Sequence, residues 1–321
     1  IPRTVVLSTD IFDEFMDHNN LYPLALSDLP DEMILENFLK AELPARIYQD
    51  FYAFLSVSRN HPIAVRSSSK LEDSHYQPFA GIYSTYMIPR HPDNKVMVKM
   101  LSDAIREVYA SVYYKASKAY MTATSNVIDE EKMGIILQEV CGNRHGDIFY
   151  PTLSGVARSL NYYPIGSEKA ADGIANIAFG LGKYIVEGGL SLRFSPKHSK
   201  KILQLSSAET ALRDTQKEFR ALDLRTDSFV PSIDDGVNIL KLGVNDVTND
   251  VAMKYVASTY DYDNNILRDG ISFPGKRIIS FSNILQHKLF PLAEILNTLL
   301  DLGDYEMNNP IEIEFAANLE T

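Results

Sequence analysis

The segment Val65-Arg66-Ser67-Ser68-Ser69-Lys70-Leu71-Glu72-Asp73, followed by Phe79-Ala80-Gly81, constrains this chain more than any other. The apolar run Pro62-Ile63-Ala64-Val65 reads as a short strand with Arg66 at its end. Small hydroxyl residues follow, then an acidic pair and a small-residue turn, and 82–88 alternates as the next strand. Arginine offers a planar fork of donors that matches phosphate oxygens. Ser67, Ser68 and Ser69 add hydroxyl and backbone donors, and Phe79-Ala80-Gly81 can turn tightly enough to present backbone N–H groups to an anion. The arrangement suits a grip on phosphate. Taken alone, it reads more simply as an arginine paired with Glu72 or Asp73 at a strand end.

The 321 residues allow one large lobe or two to three smaller ones, and 45% hydrophobic content allows a substantial core. A net charge of −11 argues against nucleic acid or an anionic membrane as the main partner, though not against one anion in a local basic pocket. No apolar run is long enough for a transmembrane helix, and no signal peptide is visible. The one cysteine, Cys141, forbids an internal disulfide and fits a reduced, cytoplasmic compartment. It ends the strand-like stretch 135–140 and reads as a core thiol. The chain starts on Ile1, not methionine, and stops directly after a strand-like run. It is expected to be a domain truncated at both ends and excised from a longer protein.

Ser8-Thr9-Asp10 caps a first helix, and 44–57 reads as a second. Residues 96–123 read as one long amphipathic helix, with Met97, Leu101, Ile105, Val108, Val112 and Tyr113 on the inner face. A strand is expected at 133–140 and two strands at 147–162, joined near Ser154-Gly155. Further on come a helix at 170–186, a strand at 190–194, a charged helix at 208–222, a loop-rich stretch at 223–250, a helix at 289–302 and a last strand at 311–316. Strands and helices mix without steady βαβ alternation, so the expected class is α+β with mostly antiparallel sheets, flanking helices and more than one lobe. The expected division is 1–130, carrying the Arg66 segment, and 131–321.

Two further features carry chemistry. In Glu312-Ile313-Glu314, residues two apart on a strand share a face, roughly 7 Å from one another. Two such carboxylates can share a hard cation such as magnesium, or can simply form a solvated acidic face. Gly180-Leu181-Gly182 and Glu187-Gly188-Gly189 point to close backbone packing, a helix break or ligand approach. No Gly-Lys-Ser/Thr follows, so neither is a Walker loop. None of the seven histidines stands in a zinc-ligand spacing, and there is no Gly-x-Ser-x-Gly hydrolase elbow.

In order, Val-Arg-Ser-Ser, Glu-Asp, Phe-Ala-Gly, Gly-Leu-Gly and Glu-Ile-Glu-aromatic-Ala resemble the nucleotide-binding domain shared by phosphoenolpyruvate synthase, pyruvate phosphate dikinase and rifampicin phosphotransferase. The resemblance covers nearly the whole chain and implies an ATP-grasp-like fold. It implies that Arg66 and Ser67 hold ATP phosphates, that Gly81 and its neighbours form the loop over them with Thr85 at its end, and that Gln138 to Val140 border the adenine. Glu187 would lie where the Gly-Leu-Gly segment reaches the nucleotide, and Glu312 and Glu314 would bind magnesium. In this family ATP phosphorylates a histidine on a separate swivelling domain, which passes the phosphoryl group to pyruvate or another acceptor. The implied partners are therefore the phosphohistidine and pyruvate-binding domains of a parent chain.

The chain departs from the pattern in several places. The Gly-Gly-Lys segment whose lysine contacts ATP and the Gln-x-Arg segment after the acidic strand are both absent. No histidine stands in the carrier's Ser/Thr-His-Ala setting, Lys183 replaces a glutamate, and Phe315 replaces a tryptophan. Similarity over 223–310 is loose. The chain by itself is expected to bind ATP at most. Two alternatives stay open: a degenerate, non-catalytic regulatory domain, or the same chemistry with another acceptor such as an antibiotic or a glucan.

Overall fold

The computed structural model describes residues 2–58, 60–72, 81–123, 131–225 and 229–319. The chain divides into two compact units, 1–140 with 223–239, and 141–222 with 240–321.

The first unit runs β1 (Thr4–Leu7), α1 (Thr9–His18), α2 (Tyr22–Ala25), α3 (Asp31–Lys40), α4 (Ile47–Val57), β2 (Ile63–Ser69), β3 (Thr85–Ile88), α5 (Asn94–Ser111), α6 (Lys115–Ala123) and β4 (Met133–Glu139). The strands form one sheet in the order β1-β4-β2-β3. All three pairings are antiparallel. One face carries Ile63, Val65, Tyr86, Ile88, Ile135 and Leu137, all buried in a core shared with Phe12 and Phe15 of α1, Phe38 of α3 and Leu101, Ile105 and Val108 of α5. The ring of Tyr109 meets that of Phe12 edge-on, at 5.0 Å between centroids. Asp93 caps α5 by accepting a hydrogen bond from the Lys95 N–H (2.8 Å). Because β4 lies between β1 and β2, the first unit continues to Val140 instead of closing near 130.

Three local expectations for this unit change. Strand β2 continues through Arg66 to Ser69, because β4 pairs with it over its whole length. The single helix expected at 96–123 is two: Val112 and Tyr113 turn into the core, and the Ser117 hydroxyl donates to the freed carbonyl of Ser111 (2.7 Å). Helix α3 was not anticipated.

The second unit continues with β5 (Asn143–His145), β6 (Ile148–Tyr150), β7 (Leu153–Arg158), β8 (Ile174–Ala178), α7 (Lys183–Val186), β9 (Leu192–Phe194), α8 (Ala208–Asp214), β10 (Glu218–Asp223) and β11 (Ile239–Gly243). After these come α9 (Met253–Val256), β12 (Ala257–Asp261), β13 (Ile266–Asp269), β14 (Lys276–Ile279), α10 (Ser282–Leu285), α11 (Leu292–Met307) and β15 (Glu312–Ala317). The sheets are ordered β15-β7-β8-β9, β11-β10-β6-β5 and β13-β12-β14. The first and third are antiparallel throughout. Phe179, Phe194, Phe219, Leu296 and Leu300 lie in their common core. Mixed helices and antiparallel pairings make the chain an α+β protein.

The helix expected at 170–186 is instead strand β8, a turn and the short helix α7. Ala175 and Ile177 are fully buried, as is Ala178, so β8 shows no clean alternation, and such a run cannot be told from a helix by its period. Gly180 (φ +88°) then turns the chain so that Leu181 N–H donates to the Arg220 carbonyl (2.9 Å); an added Cβ would lie 2.8 Å from that same oxygen. The helix expected at 208–222 stops at Asp214, where the buried Gln216 side chain bonds the Phe179 N–H (2.8 Å) and carbonyl (2.9 Å) and β10 begins. Cys141 lies just past β4 and is half-buried; burial holds its thiol above the ordinary range, so it is not a thiolate at neutral pH.

The two strands expected at 147–162 meet earlier than Gly155, which sits inside β7 opposite Phe315 of β15. A Cβ there would come within 2.3 Å of the Phe315 ring and 2.7 Å of the Asn176 carbonyl. Gly155→Ala is expected to destabilise the chain by about 1–3 kcal/mol, the usual range for overpacking. Urea unfolding with an unchanged stability would show that the ring yields freely.

Candidate functional site

In the first unit, register decides which side chains share a face. Arg66 pairs with Thr85 on one side and Ile136 on the other, and Ala64 pairs with Gln138. Arg66, Thr85 and Gln138 therefore lie on one face of the sheet, opposite the face that carries the core. All three are partly exposed, and Val6 on the same face is 61% exposed. The Gln138 side chain donates to the Thr4 hydroxyl (3.1 Å). Val140 is buried, and its N–H donates to the Pro62 carbonyl (2.9 Å).

Ser67 lies on the other face. Its hydroxyl donates to Glu72 Oε1 (2.7 Å), and Glu72 Oε2 accepts from the Ser69 N–H (2.9 Å). Glu72 thus braces the turn after β2. Gly81 is exposed at φ +77°, a backbone state that favours glycine, with open space around it. Asp73, Phe79 and Ala80 lie outside the described residues.

Sequence reasoning missed how β3 is held. Residues 229–239 pass along it: the Thr85 N–H donates to Asp235 (3.0 Å), the Tyr86 hydroxyl to the Ser232 carbonyl (2.7 Å), and the Asn238 amide to the Met87 carbonyl (2.7 Å). The Ser232 N–H donates to Glu107 (2.9 Å), a fully buried carboxyl on α5 whose pKa burial pushes up to about 9. These bonds satisfy edge-strand groups that would otherwise be left open. Asp234-Asp235-Gly236 signals only a turn in sequence, and nothing in it points to Thr85.

In the second unit, Glu312 and Glu314 are exposed, while Ile313 and Phe315, alternating with them, pack on the core. The two carboxylates share a face, as expected for residues two apart on a strand. Glu312 is bonded by Arg158, its register partner on β7. Among the described residues, no group of three or more His, Cys, Asp or Glu is arranged to hold a metal. Two carboxylates nonetheless suit magnesium, which keeps waters and phosphate oxygens as its other ligands. Glu187, just after α7, is paired with Arg220 at 2.6 Å. The Arg220 Nη1 group is buried and has no hydrogen-bond partner among the described residues.

The family model described as the AMP/ATP-binding domain of pyruvate phosphate dikinase matches residues 1–320. The chain belongs to that family. It is similar to an uncharacterized phosphotransferase of Bacillus subtilis, YvkC, with 27% identity over 191 residues, which is 60% of this chain and 20% of the relative. It is also similar to the rifampicin phosphotransferase of Bacillus cereus, with 26% identity over 163 residues, 50% of this chain and 17% of the relative. The chain thus spans about a fifth or less of the length of these curated relatives. As a member of that family it is an AMP/ATP-binding domain. Among the described residues, no helix is long and apolar enough to cross a membrane.

Proposed function

We propose that this chain is the ATP-binding part of a phosphoenolpyruvate synthase-like phosphotransferase with an ATP-grasp-like fold. ATP phosphorylates a carrier histidine on another domain of the parent protein, which then passes the group to pyruvate, in the cytoplasm. The observation that carries this reading is that Arg66, Thr85 and Gln138 share the half-exposed face of a sheet whose other face is core. Arg66 binds phosphate oxygens by its fork of donors, and the Gly81 turn lies over them with Thr85 at its end. Ser67 acts through Glu72, which stiffens the turn. Gln138 and the apolar Val140 border the base. Glu187 fixes the Arg220 guanidinium, leaving Nη1 as a donor. Glu312, which Arg158 engages, and Glu314 would together hold magnesium. When bound, the ion neutralises phosphate charge in such transfers. Positioning and charge neutralisation are the work this chain's side chains do.

Magnesium-ATP is expected to raise the melting temperature of the chain. A ligand at about 100 times its dissociation constant adds about 2.7 kcal/mol. The parent protein is expected to gain a phosphohistidine on incubation with ATP. No shift in the chain and no ATP binding by the parent protein would overturn the reading.

Two variants of the reading have support of their own. The name of the Bacillus cereus relative supports an acceptor other than pyruvate, which would leave the role of this chain unchanged. Lys183, a cation where the family has a glutamate, supports a non-catalytic domain that keeps the fold. ATP-dependent turnover in the parent protein, abolished by Arg66→Ala, would exclude that second variant.

A further inference from the structure

In this acidic chain, four lysines line one groove of about 690 Å³ in the second unit. Lys197, His198, Lys200 and Lys201 come from the stretch after β9, Lys288 from the approach to α11, and the first two turns of α11 complete the lining. Lys197 and Lys201 direct hydrogen bonds to neutral oxygens, the Ala171 carbonyl (3.1 Å) and the Ser167 hydroxyl (2.9 Å). Lys197 is also loosely paired with Asp301, at 3.9 Å. Lys200 has no partner among the described residues. His198 is paired with Asp172 (3.2 Å). Helix α11 brings its positive end, and its N-cap residue Pro291 makes no side-chain capping bond.

Glu294 is the one carboxylate among the described residues of the lining, and Lys288 already holds it as a bound anion would be held. It sits in the first turn of α11, accepts a hydrogen bond from Lys288, and is held below the ordinary carboxylate range by Lys288 and a backbone N–H. The groove therefore offers donors and charge that an internal carboxylate answers only in part. The negative charge elsewhere on the chain is damped beyond about 8 Å at physiological salt. Among the described residues the groove has no Phe, Tyr or Trp, and its one ring, His198, is held by Asp172, so it offers no large aromatic face to a nucleobase.

We propose that this groove is a binding site for a phosphate-class anion without an aromatic base, inorganic pyrophosphate being the simplest example. Lys197, Lys200 and Lys201 take the anion, and Glu294 competes with it for Lys288. The proposal is independent of the nucleotide reading.

The test is calorimetric titration of the chain with pyrophosphate. Lys200→Ala/Lys201→Ala removes two exposed side chains and is expected to weaken binding about tenfold or more. Glu294→Gln is expected to tighten it several-fold by releasing Lys288. Arg66→Ala leaves this binding in place. So does Lys95→Ala/Lys99→Ala, an equal loss of charge on α5. The absence of wild-type binding, binding that survives the Lys200/Lys201 change, an equal loss in the Lys95/Lys99 variant, or a loss that follows Arg66 would each overturn the proposal. Melting curves without ligand check that every variant is folded.

Discussion

Between about pH 5 and pH 9 the wild-type chain is expected to lose stability, on the order of several kcal/mol, that a Glu107→Gln variant keeps. Glu107 lies on α5 with no exposed surface, and burial is the largest influence on its pKa, with Asp103 on the same helix adding to it. The Ser232 N–H opposes both, but Oε2 has no hydrogen-bond partner among the described residues. The hydroxyls of Tyr86 and Tyr114 feel the Glu107 charge, and burial raises both of their pKa values in turn. An ionised carboxylate here would have one donor and little else to replace water.

The sign follows from proton binding. Unfolded, the carboxyl titrates near 4.5; folded, it titrates near 9. Between those values the folded chain holds a proton that the unfolded chain has released. The stabilisation is complete below the lower value and declines by roughly 1.4 kcal/mol per pH unit up to the higher one. Glutamine keeps the acceptor for Ser232 and cannot ionise, so its stability profile lacks that slope. Urea unfolding of both proteins across this pH range measures the difference directly. Parallel curves would mean that Glu107 titrates alike in both states.

What was legible in the sequence depended on how many independent constraints a segment carried. Strand β4 matches its expected range to within one residue, and helix α1 starts where Ser8-Thr9-Asp10 signals a start, although the Ser8 side chain makes no capping bond. The pairing of Glu312 and Glu314 on one exposed face followed from strand periodicity alone. Strand β8 was misread as helix because burial on both faces erases the period of two. Helix α3 went unread although Ile34, Leu35 and Phe38 have helical spacing and Asp31-Glu32 begins it. The Pro30 cap carries no side-chain signal there.

The candidate site divides in the same way. Arg66 was read as ending a strand, yet it lies inside one, and only the register with Thr85 and Ile136 reveals its neighbours. Of the acidic pair after the serines, Glu72 accepts from Ser67 and the Ser69 N–H, two bonds that no local pattern announces, and Asp73 lies outside the described residues. Asp235 and Glu107 were invisible because each acts on a residue far away in sequence. Contacts of that separation leave no local pattern.

Arg66→Ala is expected to weaken magnesium-ATP binding by about 10- to 100-fold. Hydrogen bonds to charged groups contribute about 1.5–3 kcal/mol each, and 1.4 kcal/mol is a factor of ten. Arg66→Lys keeps the charge but not the planar fork, so it is expected to fall between the two. This ordering separates phosphate recognition from simple attraction, which would leave the lysine variant near wild type. Arg66 is only half-buried and faces away from the core, so the alanine variant is expected to fold, with an unliganded melting temperature close to wild type. Asp235→Ala is a useful companion, because it removes the acceptor of the Thr85 N–H and leaves the Arg66 side chain in the protein. Affinity that drops with Arg66→Ala and less with Asp235→Ala would assign the grip to the arginine. Binding of magnesium-ATP that is the same in wild type and Arg66→Ala would return Arg66 to the simpler role of an arginine paired with a nearby carboxylate.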